Sequence, residues 1–253
     1  MKKLILLTLA AICCISIITS KLHALDMTVG ASTWYAWWEQ EAPGQTTKFD
    51  PTFFYGPVLA VKISDDFNLT FVYLYGVFNY KEGSGSNKVT IKSKRSDVDF
   101  ALNYKLSNYF KAFAGVKYMP YKLEGEEKGS KNTITKAEHS AIGPGLGLSA
   151  TIPIANNIFG LATLSGFYLW SGEDNDYKDL GDSSKNGKTK RDYVRYGFNS
   201  TLALAYYIAP ASTVVSLGGR LQYYRSDYNT EKGYFANNTF YGITLTVTYN
   251  FSI

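Results

Sequence analysis

Past its first two dozen residues the chain alternates in character from one residue to the next, in segments of about ten to sixteen residues separated by polar stretches. The last segment is the clearest. Tyr241, Ile243, Leu245, Val247, Tyr249, Phe251 and Ile253 form one series, and Gly242, Thr244, Thr246, Thr248 and Asn250 the other. A period of two sends alternate side chains to opposite faces of an extended chain, so the segment reads as a strand with one apolar and one small or polar face. Val98, Phe100, Leu102, Tyr104 and Leu106 alternate in the same way with Asp97, Asp99, Ala101, Asn103 and Lys105. Further segments fall at 27–37, 53–63, 67–80, 109–119, 140–152, 158–170, 192–208 and 213–225, which makes ten. The one from Ile158 has two competing phases, Phe159, Leu161, Phe167 and Leu169 against Ile158, Leu164, Tyr168 and Trp170.

The connections alternate as well. Short ones fall at Ser64-Asp65-Asp66, Ser107-Asn108, Pro153 to Asn157 and Ala209 to Ser212; long ones at 38–52, 81–96, 120–139, 171–191 and 226–237 carry most of the charge. Tyr35, Trp37, Tyr73, Tyr75, Tyr118, Trp170 and Tyr223 fall near one set of strand ends, and Phe67, Tyr109, Phe110, Tyr249 and Phe251 near the other. Long strands, asymmetric turns and two aromatic girdles predict an all-β, up-and-down antiparallel barrel that crosses a membrane, with ten strands expected and eight or twelve as alternatives. A soluble sandwich accounts for the alternation but not for the strand length or the turn asymmetry. Pro57 and Pro144 interrupt proposed strands and are expected at bulges or near a rim, since each removes a ladder hydrogen bond.

Lys2 and Lys3 precede an uncharged apolar run from Leu4 to Ile18, and small and polar residues follow. This is the pattern of a secretory signal peptide, too short for a membrane helix of about twenty residues. Cleavage is expected after Ala24, with Ser20 as an alternative, giving a signal peptide over 1–24 and a barrel over 25–253. Cys13 and Cys14, the only cysteines, lie in the leader, so neither a disulfide framework nor a thiolate metal site is expected. Ile12 before Cys13 does not fit a lipid-attachment site. Losing Lys2, Lys3 and Lys21 brings the formal charge from +5 to +2, which gives no reason to expect nucleic acid as a partner.

On these segments, turns and girdles the chain resembles the bacterial outer-membrane β-barrel superfamily over its whole length. Its C-terminal strand, with Gly242, Leu245, Val247, Tyr249 and Phe251, resembles the signal read by the barrel-assembly machinery, although the chain ends Phe251-Ser252-Ile253 rather than on an aromatic. The resemblance implies an outer-membrane location, contact with outer-membrane lipid, and short turns on the periplasmic side.

Candidate chemistry is sparse. Gly143-Pro144-Gly145-Leu146-Gly147 lacks the spacing of a dinucleotide-binding loop and precedes no helix. Asp97 and Asp99 at an outer strand end, with His139 starting another strand near the same rim, invite comparison with the omptin proteases. That family pairs its histidine with an aspartate two positions away, where this chain has Ala137. His139 and Ser140 point to opposite faces, so they do not form a hydrolase pair. No enzyme activity, cofactor or metal site is expected.

The charged residues assigned to the lumen are Lys62, Asp97, Asp99, Lys105, Lys111, Lys117, Arg195 and Arg220. They serve either as ion pairs filling a narrow interior or as a weakly anion-preferring passage. A turn centred on Asn108 places Asp99 opposite Lys117, Phe100 opposite Val116 and Leu102 opposite Ala114, at the cost of Lys105 opposite Lys111. With Phe54, Phe113, Lys117, Arg195 and Arg220 crossing much of a ten-stranded lumen, a filled barrel with surface-exposed loops is expected, acting as an antigen, adhesin or envelope component with an unidentified extracellular ligand. A small-solute channel is the alternative.

Overall fold

The computed structural model describes residues 26–82, 89–127, 133–179, 187–228 and 234–252. Eleven strand segments follow one another: β1 (Asp26–Ala42), β2 (Gln45–Lys62), β3 (Phe67–Glu82), β4 (Val89–Lys105), β5 (Phe110–Tyr118), β6 (Tyr121–Glu127), β7 (Thr133–Ala155), β8 (Ile158–Asp179), β9 (Gly187–Ile208), β10 (Thr213–Tyr228) and β11 (Phe235–Ser252). Each pairs antiparallel with its neighbours, and β1 closes the ring on β11, from Asp26 opposite Ser252 to Glu41 opposite Asn237. β5 and β6 both lie between β4 and β7, so they are two halves of one stave interrupted at Met119-Pro120. The barrel therefore has ten staves. Proline has no N–H to donate to a ladder, which is why the stave breaks there.

Four short turns sit at one end with Asp26 and Ser252, the first and last described residues. Two use the same device. Ser64 Oγ accepts hydrogen bonds from the amides of Asp66 and Phe67, and Ser107 Oγ from those of Tyr109 and Phe110. The second fixes the register of β4 on β5, with Asp99 opposite Lys117, Phe100 opposite Val116, Leu102 opposite Ala114 and Lys105 opposite Lys111, as the turn at Asn108 requires.

A belt of exposed apolar side chains rings the outside, including Phe53, Leu59, Leu102, Val116, Leu146, Leu164, Leu202, Leu217 and Ile243. In the Ile158 segment Leu164, Tyr168 and Trp170 face outward, whereas Phe167 and Leu169 are buried inside, which settles the phase. Toward the hairpin end the strands run far past this belt. β7 runs nine residues past the exposed Ile142, to Thr133, with Lys136 and Glu138 exposed along the way. At a rise of about 3.3 Å per residue and a tilt of about 45°, these nine reach roughly 20 Å beyond it.

The expected long loops are thus largely strand. The span 38–52 is paired hairpin except at Pro43-Gly44, and most of 120–139 and 171–191 is paired as well. Above the belt the outward face is charged. Lys92, Glu124, Lys136, Asp176 and Lys188 stand opposite one another in sequence across β4, β6, β7, β8 and β9, alternating in sign. Lys94–Glu124, Lys122–Glu138, Lys190–Asp174 and Lys188–Asp176 ion pairs lace this collar.

The prolines behave differently from expectation. The bulge in β2 is at Asp50-Pro51, where the register shifts against both β1 and β3. It brings Phe49 above it and Phe54 below it to the same interior face. Pro57 and Pro144 lie within the belt, and neither shifts the register. Each follows a glycine at which an added Cβ would lie 2.0 Å from Tyr73 O (Gly56) or 2.1 Å from Tyr168 O (Gly143). Tyr73 and Tyr168 stand opposite the two prolines, and their carbonyls close on the bare glycine Cα, whose C–H donates weakly to them, just as facing carbonyls close on Gly30, Gly115 and Gly197.

Candidate functional site: a sealed outer lumen

The core of this protein is inside the barrel, at and above the outer girdle. Trp34 and Trp38 from β1, Phe49 and Phe54 from β2, Leu74 and Phe78 from β3, Met119, Phe167 and Leu169, Tyr224 and Phe240 pack into one buried cluster. Trp38 lies between Phe49, stacked at 3.6 Å and 4°, and Phe240, at 4.9 Å and 21°. Its Nε1 donates to Asn238 Oδ1 at 3.0 Å. Bulky rings can occupy these positions because neighbouring inward residues, such as Ala36, Ala141, Gly143 and Gly145, are small.

Arg95 crosses this cluster. It is 1% exposed, and its guanidinium carbon lies 4.0 Å from the Phe240 ring centre and 5.5 Å from that of Tyr224. Nε donates to Asp97 Oδ1 at 3.0 Å, Nη1 to the Tyr224 hydroxyl at 2.9 Å and Nη2 to Met119 sulfur at 3.4 Å. Asp97, 2% exposed, also accepts from Gln222 Nε2 at 3.2 Å and lies 3.8 Å from Lys117 Nζ. Lys117 in turn donates to both oxygens of Asp99, at 2.9 and 3.0 Å. A buried charge persists only if it is paired and hydrogen-bonded, and this network meets that condition strand by strand.

The remaining lumen residues divide by height. Arg220 lies over Trp34 at 4.6 Å and donates to Asn199 Oδ1 at 3.1 Å. Arg195 is buried beside Tyr121, Tyr193 and Tyr224. Lys62, Lys105 and Lys111 are at the short-turn end, exposed around a cavity of about 610 Å³ that also takes in Asp26, Asn68 and Asn250. There Lys62 bonds Asp65 at 2.8 Å and holds that turn carboxyl below its ordinary range. Hydration at this mouth accommodates Lys105 opposite Lys111.

Two placements are corrected. Asp97 and Asp99 are mid-strand interior residues rather than a rim pair, because β4 continues past them to Val89. His139 does not start a strand. It is buried six residues into β7, stacked on Tyr121 at 4.0 Å, with Nδ1 3.2 Å from the Tyr193 hydroxyl and 3.5 Å from Glu173.

Sequence reasoning missed Arg95, Tyr121, Gln222 and the aromatic cluster as a lumen feature. A charged run with Lys92 and Lys94 reads as loop, yet Ser93, Arg95, Asp97 and Asp99 keep one unbroken alternation that continuing the strand would have found.

No protein-family model and no curated protein matches this chain. Among solved structures it is similar to the outer membrane protease OmpT from Escherichia coli, at 11% identity and a TM-score of 0.63 over 92% of this chain and 100% of that one. It is also aligned with the translocator domain of the autotransporter NalP from Neisseria meningitidis, at 10% identity, 93% and 91% coverage and a TM-score of 0.47. A third is a major outer membrane protein from Thermus thermophilus, at 13% identity, 90% and 100% coverage and a TM-score of 0.43. At such identities the likeness concerns fold alone. The chain has the fold of the bacterial outer-membrane β-barrels, and its continuous apolar belt is the surface by which that fold sits in the outer membrane.

Proposed function

We propose that this protein is a non-conducting outer-membrane barrel that works from its outer face, presenting its long hairpins as an interaction surface. One observation carries the reading: the outer lumen is filled by a packed aromatic cluster through which the buried Arg95–Asp97 pair is threaded. A passage for solutes needs water along the axis, and Trp38, Phe78, Phe240 and Arg95 have essentially no solvent contact. Export by segment 1–24 and assembly through β11 accompany this reading, the latter supported by the continuous pairing of β11 with β1.

Purified protein in planar lipid bilayers is expected to give no steps, or steps far below those of a porin trimer. Large, stable steps, or rapid uptake of sugar-sized solutes by liposomes carrying it, would overturn the reading. One observation favours the channel alternative: the hydrated mouth of about 610 Å³ carrying Lys62, Lys105 and Lys111. Small, reproducible, anion-selective steps would promote it.

A further inference from the structure

Beside the Arg95 network, three neighbouring strands carry buried polar groups with no partner. Arg195 on β9 is 1% exposed. Its Nη2 donates to the Tyr121 hydroxyl at 3.1 Å and to the Tyr193 hydroxyl, but Nε and Nη1 meet no acceptor. Among the described residues no carboxylate forms an ion pair with it. Glu173, on the adjoining strand, instead faces His139 and accepts from Asn175. Ser171 Oγ on β8 and His139 Nε2 on β7 are likewise buried and unpaired, in residues 6% and 7% exposed. Ser171 stands directly opposite Ala141 and Tyr193, and Arg195 opposite Leu169.

Arg195 Nε–H and Nη1–H are donors that no acceptor meets. The Tyr193 hydroxyl accepts from Arg195 and lies 3.2 Å from His139 Nδ1, which is also 3.5 Å from a Glu173 carboxylate oxygen. The unpaired atoms on β8 and β7 are the Ser171 hydroxyl, which can donate or accept, and His139 Nε2. A water molecule leaves this buried guanidinium without a counter-charge, whereas an anion supplies one and accepts from both free N–H groups. A desolvated, unpaired guanidinium is the costly arrangement, and bound negative charge relieves it.

We propose that the outer lumen binds a small anion, of halide or carboxylate size, on Arg195, with the Ser171 hydroxyl as a further donor. This goes beyond the closed-barrel reading and is independent of it, since a bound anion adds to the filling without opening a path.

Crystals of the purified barrel soaked in sodium bromide test it directly. An anomalous peak in contact with Arg195 Nε or Nη1 and Ser171 Oγ is expected; ordinary water density there without anomalous signal overturns the proposal. In solution, the urea midpoint of the wild-type barrel is expected to rise with chloride, bromide or formate beyond its rise with a bulky organic sulfonate at equal ionic strength. Arg195→Met abolishes that difference, Ser171→Ala moves it to higher anion concentration, and Arg220→Met leaves it in place. An anion-specific response that survives Arg195→Met, or none in the wild type, overturns the proposal. If Arg195→Met does not fold, the bromide map and Ser171→Ala still decide.

Discussion

Replacing Arg95 by methionine keeps the length of the side chain and removes its charge. Asp97, 2% exposed, then retains Gln222 at 3.2 Å and Lys117 at 3.8 Å but loses its closest cation. Breaking a buried pair by removing one partner costs about 3–5 kcal/mol, because the other charge stays behind uncompensated. The residual Lys117 places the expected loss at the low end, about 3 kcal/mol. Loss of the cation over the Phe240 ring, 4.0 Å away, adds about 1–2 kcal/mol for a desolvated contact.

Asp97→Asn alone strands Arg95 in the same way. The double variant Arg95→Met, Asp97→Asn removes both charges and is expected to recover part of the loss, with a coupling of about 1–3 kcal/mol. Urea unfolding of the lipid-reconstituted barrel, followed by fluorescence of the buried Trp34 and Trp38, measures all four corners of the cycle. A single-variant loss below about 1 kcal/mol, within the range of exposed ion pairs, would refute the reasoning. So would a double variant no more stable than the worse single one.

Phe240→Ala deletes the ring that packs on both Trp38 and Arg95; a loss of about 3–5 kcal/mol and the first measurable conductance are expected, read by unfolding and planar bilayers. Asp99→Asn should cost about 1 kcal/mol or less as a half-exposed cross-strand partner, while Lys117→Met costs more because it leaves both Asp97 and Asp99; equal losses in urea titrations would contradict the geometry. Gly56→Ala and Gly143→Ala force a Cβ against a carbonyl and should lose about 1–3 kcal/mol as overpacking. Gly219→Ala, whose nearest such atom is 4.0 Å away, serves as the control, expected within about 0.5 kcal/mol of wild type.

The belt is readable from the sequence because lipid outside and a polar lumen inside impose one unambiguous alternation. Strand count, faces and the β4–β5 register all follow from it. Above the girdle the signal reverses. In β7 the outward residues change from Ile142 and Leu146 to Lys136 and Glu138, while the buried ones are Ala137, His139 and Ala141. A pattern whose apolar phase inverts reads as the end of a strand, so paired hairpins pass for loops, and Arg95 with them. The prolines mislead for a related reason. Pro57 and Pro144 leave the register unshifted whereas the bulge falls at Asp50-Pro51, and no rule about proline alone separates the two cases.

The aromatic cluster also bears on the order in which the barrel assembles. Trp38 and Phe49 come from the first two strands, Arg95 from the fourth, and Tyr224, Asn238 and Phe240 from the last two, with the Trp38–Asn238 bond spanning 200 residues of chain. No subset of neighbouring hairpins contains it, so it cannot form until the first strand finds the last. Contacts of such long range are entropically late in folding. The cluster then acts as a latch on the β1–β11 seam: it contributes little to the rate at which strands pair and much to the rate at which the finished ring reopens, so substitutions such as Phe240→Ala should speed unfolding several-fold more than they slow folding.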